Sequence, residues 1–279
     1  MRKIFLLTLI ITLITEHEAQ ASITHKDIAK NNIKVQQTTK INLDPYTLNK
    51  LNTLLEKRSK FNDRKTEEII DLLSAAFLGT PYQANMLHGS KNIPEELIID
   101  FRGLDCFTYL DYVEALRKST SQTEFINNVV KTRYVDGIVS FLNRKHFFTD
   151  WAYSKYKLAT DITAQISPYA VKTEKYLNQK ADGSNYLPGL PVVKRTLTYI
   201  PSNFINEKVI SHLRSGDFIG IYTQLAGLDV THVGFFIMTD NGPMLRNASS
   251  RKENEKVVDS PFMKYVIKTP GIIVLRALP

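Results

Sequence analysis

Cys106 is the single cysteine among 279 residues, so it can form no intrachain disulfide and another role must be sought for it. It sits in Phe101-Arg102-Gly103-Leu104-Asp105-Cys106-Phe107-Thr108-Tyr109-Leu110, between an apolar, strand-like run over 97–101 and an amphipathic stretch ending near Leu116. That pattern predicts a helix start at Cys106 with Asp105 as its N-cap. A thiol in the first helical turn feels the positive end of the helix dipole, which favours thiolate over thiol and suits a covalent nucleophile. The competing reading is a structural thiol, buried as a small hydrophobe.

A nucleophilic thiol needs a base. Of the six histidines, His17 and His25 fall in the N-terminal lead. Among His88, His146, His212 and His232, only the last opens a strongly patterned central strand. Asn247 lies on the next strand, across the turn Asp240-Asn241-Gly242, and counting back from that turn brings it near the same end as His232. An amide there can accept the imidazole N–H and hold its tautomer. Cysteine, histidine and amide together suit covalent acyl transfer: thiolate attack, proton delivery to the leaving amine, and an orienting third group. For His232 the alternative is a half-buried strand histidine without chemistry.

The elements that must position these side chains occupy 44–279, read as a single domain. Basic Arg2-Lys3, the apolar run Ile4 to Ile14 and Ala19-Gln20-Ala21 form an export signal over 1–21, cleaved after Ala21, which predicts a periplasmic or secreted protein. Residues 22–43 are polar, without apolar periodicity, and are expected to be a flexible lead-in. The signal's apolar run is too short to span a bilayer, and no later segment approaches the roughly 20 apolar residues required. Stable membrane insertion is therefore not expected. Asp44-Pro45 with Leu48, Leu51, Leu54 and Leu55 predicts a helix. A second helix runs to Phe77 and stops at Gly79, and another covers Glu124 to Tyr134. The stretch 136–201 reads as a loop-rich insertion, while Gly216–Tyr222, Thr231–Met238, Pro243–Ala248 and Gly271–Arg276 read as strands. Helices followed by neighbouring strands predict an α+β fold with an antiparallel sheet.

A net charge of +8 suits an anionic surface or polymer. The basic residues are scattered and form no aromatic-interleaved block, which argues against nucleic acid. No phosphate-cradling loop or dinucleotide fingerprint is present, and His146 with Asp150 lacks a third metal ligand. No cofactor and no metal are expected, and the chain is expected to be a monomer.

Leu104-Asp105-Cys106 before a helix, Thr231-His232-Val233-Gly234-Phe235 opening a strand, and Leu245-Arg246-Asn247-Ala248-Ser249-Ser250 on the following strand resemble the NlpC/P60 superfamily of cell-wall cysteine peptidases and amidases, whose fold is papain-like. Leu78-Gly79-Thr80-Pro81-Tyr82, Phe101 to Cys106, Tyr134-Val135-Asp136-Gly137, and Arg144 with His146-Phe147-Phe148-Thr149-Asp150-Trp151 are closer still to its DUF1460 branch, which is N-acetylmuramoyl-L-alanine amidase-like. The resemblance spans about Asp44 to Leu278 and is carried by the order of the motifs. It implies Cys106 as nucleophile, His232 as base and then acid, and Asn247 as the orienting group, acting on peptidoglycan or a muropeptide. Tyr82 is then placed to bind substrate or the oxyanion, beside Asp105. Asp136, Arg144, His146, Asp150 and Trp151 would line the cleft, with Trp151 stacking on a sugar and Arg144 pairing with a peptide carboxylate; packing and structural hydrogen bonds are the competing reading for each.

Two features depart from typical endopeptidases of the superfamily. Phe107-Thr108 stands where they carry Ser-Gly, and the interval from Cys106 to His232 is long. The bond implied is the amide between N-acetylmuramic acid and L-alanine. The alternatives are a γ-D-glutamyl-diamino acid endopeptidase and a catalytically silent wall-binding module.

Overall fold

Helix α1, Pro45–Ser59, begins where Asp44 accepts the N–H groups of Tyr46 and Thr47, with Pro45 in the first turn, and it buries Leu51, Leu54 and Leu55. In the computed structural model, which describes residues 43–61 and 63–279, it is followed by α2 (Thr66–Ala75), α3 (Cys106–Arg117) and α4 (Gln122–Arg133). The export signal and lead-in expected over 1–42 lie outside the described residues. All described residues belong to one compact unit, Asn42–Pro279. Among them, no helix is long and apolar enough to cross a membrane.

Helix α3 is the hub of the helical layer. From Thr108 to Arg117 every residue is buried, so it is covered on all sides rather than along one stripe. Phe101 lies 5.2 Å from Phe77, 5.1 Å from Tyr112 and 5.8 Å from Phe125, ring centroid to centroid, joining α3 and α4 to the segment after α2. These edge-on contacts are the favoured aromatic geometry.

Six further elements precede the last strands: α5 (Asp150–Tyr153), β1 (Ala159–Asp161), α6 (Thr163–Ile166), β2 (Val171–Leu177), β3 (Val193–Pro201) and α7 (Glu207–His212). Then come β4 (Phe218–Tyr222), β5 (Val230–Thr239), β6 (Gly242–Ser249), β7 (Lys256–Pro261), α8 (Phe262–Val266) and β8 (Gly271–Ala277). The strands form one antiparallel sheet in the order β2-β3-β8-β4-β5-β6-β7, with β1 also on β8. Tyr109 of α3 meets Phe235 of β5 at 5.3 Å, which places the helical layer on one sheet face. The other face carries Ile219, Ile221, Phe236, Leu245 and Val274 against Phe262 and Val266 of α8. The α+β expectation holds.

Two expectations are corrected. The loop-rich stretch 136–201 contains three strands; β2 reads Val-Lys-Thr-Glu-Lys-Tyr-Leu, and its exposed edge position keeps it polar enough to hide the alternation. The apolar run 97–101 is not a strand. Its backbone is satisfied by side chains: Asp100 N–H donates to the Tyr112 hydroxyl, Phe101 N–H to Thr47, and Arg133 donates to the Ile98 carbonyl. The hairpin turn expected at Asp240-Asn241-Gly242 joins β5 to β6, with Gly242 at φ +96°.

Arg133 and Asp111 form an ion pair of 2.7 Å with side chains only 2% and 1% exposed, so neither charge can regain water if the other is lost. Asp111→Ala should therefore cost roughly 3–5 kcal/mol in chemical denaturation. The double change Asp111→Leu/Arg133→Met should recover much of that loss; a loss in the double variant as large as in the single one would show that packing, not the stranded charge, sets the cost.

Candidate active site

The loop before α3 is clamped to the sheet edge. Gly79 N–H donates to Val257 O (2.9 Å), Val257 N–H to Thr80 O (2.8 Å) and Tyr82 N–H to Glu255 O (2.8 Å), adding 79–82 to β7. On its other side Leu104 N–H donates to Pro81 O and Gln83 N–H to Leu104 O, both at 3.0 Å. A Cβ at Gly103 would stand 2.6 Å from Gln83 Oε1, so the close approach needs glycine there. Asp105 then caps α3: its Oδ1 accepts the N–H groups of Phe107 (2.9 Å) and Thr108 (2.7 Å), while Asp105 N–H donates to Thr108 Oγ1 (3.1 Å). This reciprocal capping box fixes the half-buried Cys106.

The sheet opens to receive the sulfur. The β5–β6 register ends at Phe235–Arg246, whereas β6 continues along β7 to Ser249–Lys256. Phe236 N–H donates to Asp217 O and Met238 N–H to Ser215 Oγ, both on the β4 side, so by alternation Val233 N–H faces β6. Beyond the last pair that donor is among the N–H groups that favour the Cys106 anion. The sulfur is thereby held one residue along the strand from His232.

His232 is oriented from the opposite sheet face. Gly234 stands between it and Asn247, and a Cβ there would come within 3.0 Å of Asn247 Cβ and 2.7 Å of Arg246 O. Without that Cβ, Asn247 reaches diagonally to His232, Oδ1 to Nε2, at 2.9 Å. The Asn247 amide is fully buried and its orientation is determined, because Nδ2 donates to Leu245 O at 2.9 Å and to Ser260 Oγ at 3.2 Å. A carbonyl only accepts, so Oδ1 faces the imidazole, Nε2 carries the proton, and Nδ1 is left as the basic nitrogen. Tyr265 of α8 stacks on His232 at 6.0 Å and 21°, with the Arg251 guanidinium 4.2 Å from the centre of the Tyr265 ring. Burial holds the imidazole below its ordinary value of 6.5; Asn247 opposes this and Arg251 adds to it. His232 is neutral at pH 7.

The thiol departs from the expected thiolate. Burial, then the negative charge of Asp105, pushes it up to about 12, outweighing the N–H groups of Val233, Cys106 and Phe107 that favour the anion. At rest the site holds a neutral thiol beside a neutral imidazole, so the sulfur gains its nucleophilicity only as its proton is removed.

The remaining candidates divide sharply. Tyr82 stands at the site: burial, then the Cys106 and Asp105 charges, raises its hydroxyl, with Ser250 opposing the rise. Asp105 is a cap. Trp151 is fully buried, edge-on to Phe107 at 6.1 Å and to Phe218 at 5.0 Å, so it supports the residue after Cys106 and has no open face for a sugar. Arg144 is taken by Glu95 and the His88 carbonyl rather than left for a substrate carboxylate. Asp150 pairs with Arg195 at 2.7 Å and caps Phe147 N–H, and His146 Nε2 lies 2.7 Å from Phe141 O. Asp136 takes φ +54° in a tight turn. Arg144, Asp150 and His146 are thus held by partners within the chain, while Asp136 is exposed. Tyr265, Arg251, Ser260 and Gly234 are site residues that sequence reasoning missed; glycine two residues after the strand histidine was the one available signal.

Replacing Asp105 by Asn keeps an N-cap but removes its charge. Asp105→Asn should thus lower the thiol pKa and speed iodoacetamide alkylation of Cys106 at fixed pH. An unchanged rate would mean that burial alone holds the proton on sulfur.

Residues 72–272 match the model of the AmiA-like family, described as N-acetylmuramoyl-L-alanine amidase-like. Protein LPG0564 of Legionella pneumophila, assigned to DUF1460, superposes with a TM-score of 0.69 at 26% identity over 82% of this chain and 94% of its own. An N-acetylmuramoyl-L-alanine amidase from Bacteroides uniformis gives 0.66 at 27% identity over 77% and 99%. A Bacteroides fragilis protein with a provisional xylanase name gives 0.61 at 28% over 73% and 98%. No curated protein matches the chain. With the match covering most of its length, this chain belongs to the N-acetylmuramoyl-L-alanine amidase-like family, the DUF1460 group.

Proposed function

We propose that this protein is an exported cysteine amidase of the papain-like NlpC/P60 type, hydrolysing the amide between N-acetylmuramic acid and L-alanine in peptidoglycan or muropeptides. The observation that carries the reading is the His232–Asn247 hydrogen bond, which leaves Nδ1 basic at the strand position beside the Cys106 sulfur. Family membership and the name of the B. uniformis relative supply the bond. The N-terminal pattern supplies export.

The chemistry follows from two neutral partners. Nδ1 of His232 takes the thiol proton as sulfur attacks the lactyl carbonyl, and Asn247 Oδ1 stabilises the imidazolium formed. The Tyr82 hydroxyl is the side-chain donor suited to the oxyanion. Collapse expels the alanine amine, protonated by His232, and leaves a muramoyl thioester. Water, deprotonated by the same imidazole, then releases the sugar acid and restores the thiol. Glycosidase chemistry, the implication of the xylanase name, requires two carboxylates flanking the bond; the carboxylate next to Cys106, Asp105, is occupied in capping.

Mass spectrometry of a disaccharide-tetrapeptide digest should reveal free disaccharide and intact peptide, and Cys106→Ala should release neither while keeping its fold by circular dichroism. Cleavage within the peptide would favour the endopeptidase, and no cleavage by the native enzyme would favour the silent module. Gly234→Ala should push Asn247 off the imidazole and lower kcat by about 10–100-fold; full activity would remove Asn247 from the mechanism.

A further inference from the structure

Arg251 differs from the other arginines near the site. Arg133, Arg144, Arg195 and Arg246 each pair with a carboxylate of the chain. Arg251 is exposed and makes no ion pair among the described residues; its guanidinium is laid on Tyr265, 4.2 Å from the ring centre. Tyr265 is in turn stacked on His232. The loop that carries Arg251 is tied down on both sides, with Arg251 N–H on Ser249 Oγ and the Arg251 carbonyl accepting from Asn254 and Glu255. A long cationic side chain held on an aromatic platform loses little further freedom on binding an anion, and an arginine fork matches a carboxylate.

The geometry points to Arg251 as the anchor for a carboxylate on the peptide side of the scissile bond, so that the enzyme prefers acidic peptides. This rests on the amidase reading for which side of the cleft holds peptide, but the charge preference can be read without turnover. Through Tyr265, which touches both, Arg251 would hold that carboxylate on the same aromatic platform that packs on His232, which makes Arg251 a specificity residue.

The test uses N-acetylmuramoyl-L-alanyl-D-glutamate and the same ligand with both glutamate carboxyls amidated. In Cys106→Ala protein, calorimetry should give the carboxylate ligand about a ten- to hundredfold lower Kd than the diamide. Adding Arg251→Gln should bring the two within about twofold, and Arg251→Lys should restore part of the difference. With Cys106 intact, Arg251→Gln should raise KM for the carboxylate substrate alone. A carboxylate preference that survives Arg251→Gln, or none in the parent, overturns the assignment, as does failure of the carboxylate ligand to bind. If binding follows the expectation but native enzyme cleaves neither ligand, Arg251 stands and the amidase reading falls.

Discussion

The separation of β5 from β6 beyond Phe235–Arg246 is the constraint on which the site depends. A continuous ladder would have given Val233 N–H a backbone partner and left no place for a sulfur. Arg246 sits at the branch. Its guanidinium grips Asp259 of β7 through Nε (2.7 Å) and Nη2 (2.9 Å), and reaches Asp71 of α2 through Nη1 at 2.7 Å. One buried fork thus draws β6 toward β7 and binds the sheet to the helical layer. Asn247, the next residue, inherits its position from that anchor.

The electrostatics are those of a guarded thiol. Cys106 has three favourable N–H groups, yet burial and the Asp105 cap keep its proton on. His232, desolvated and near Arg251, stays neutral and basic. Both groups are pushed toward their uncharged forms by the same cause, removal of water from a charge. A neutral thiol beside a neutral imidazole reacts less readily with stray electrophiles than a standing thiolate would.

Packing behind the site explains the aromatic density of 146–153. Trp151 bridges Phe107 to Phe218, and Phe218 meets Phe235, which touches Tyr109 of α3. This ring chain runs from the residue after the nucleophile through the sheet and back to the same helix, so the helix start is braced from both ends. Trp151, the ring expected to stack on a sugar, is here part of the packing behind Cys106.

Local features were legible in the chain itself. Asp44-Pro45, the Asp105–Thr108 cap and the alternation of β4, β5 and β6 are written within a few residues of one another, and the α+β class follows from their order. Cys106 and His232 stand out as candidates because the chain has one cysteine and six histidines, and they lie at a helix start and near a strand start; Asn247 is reached by counting across the hairpin from His232. The charge state of Cys106, the burial of Trp151 and the engagement of Arg144 by Glu95 are different in kind. Each depends on which distant side chains and how much water surround a group, and Arg144 and Glu95 lie 49 positions apart. Sequence determined the chemical types and the local geometry that presents them. Only the tertiary structure decided which charges were already paired, which rings were buried, and that a parted ladder would bring sulfur to strand, because those are properties of long-range packing and desolvation.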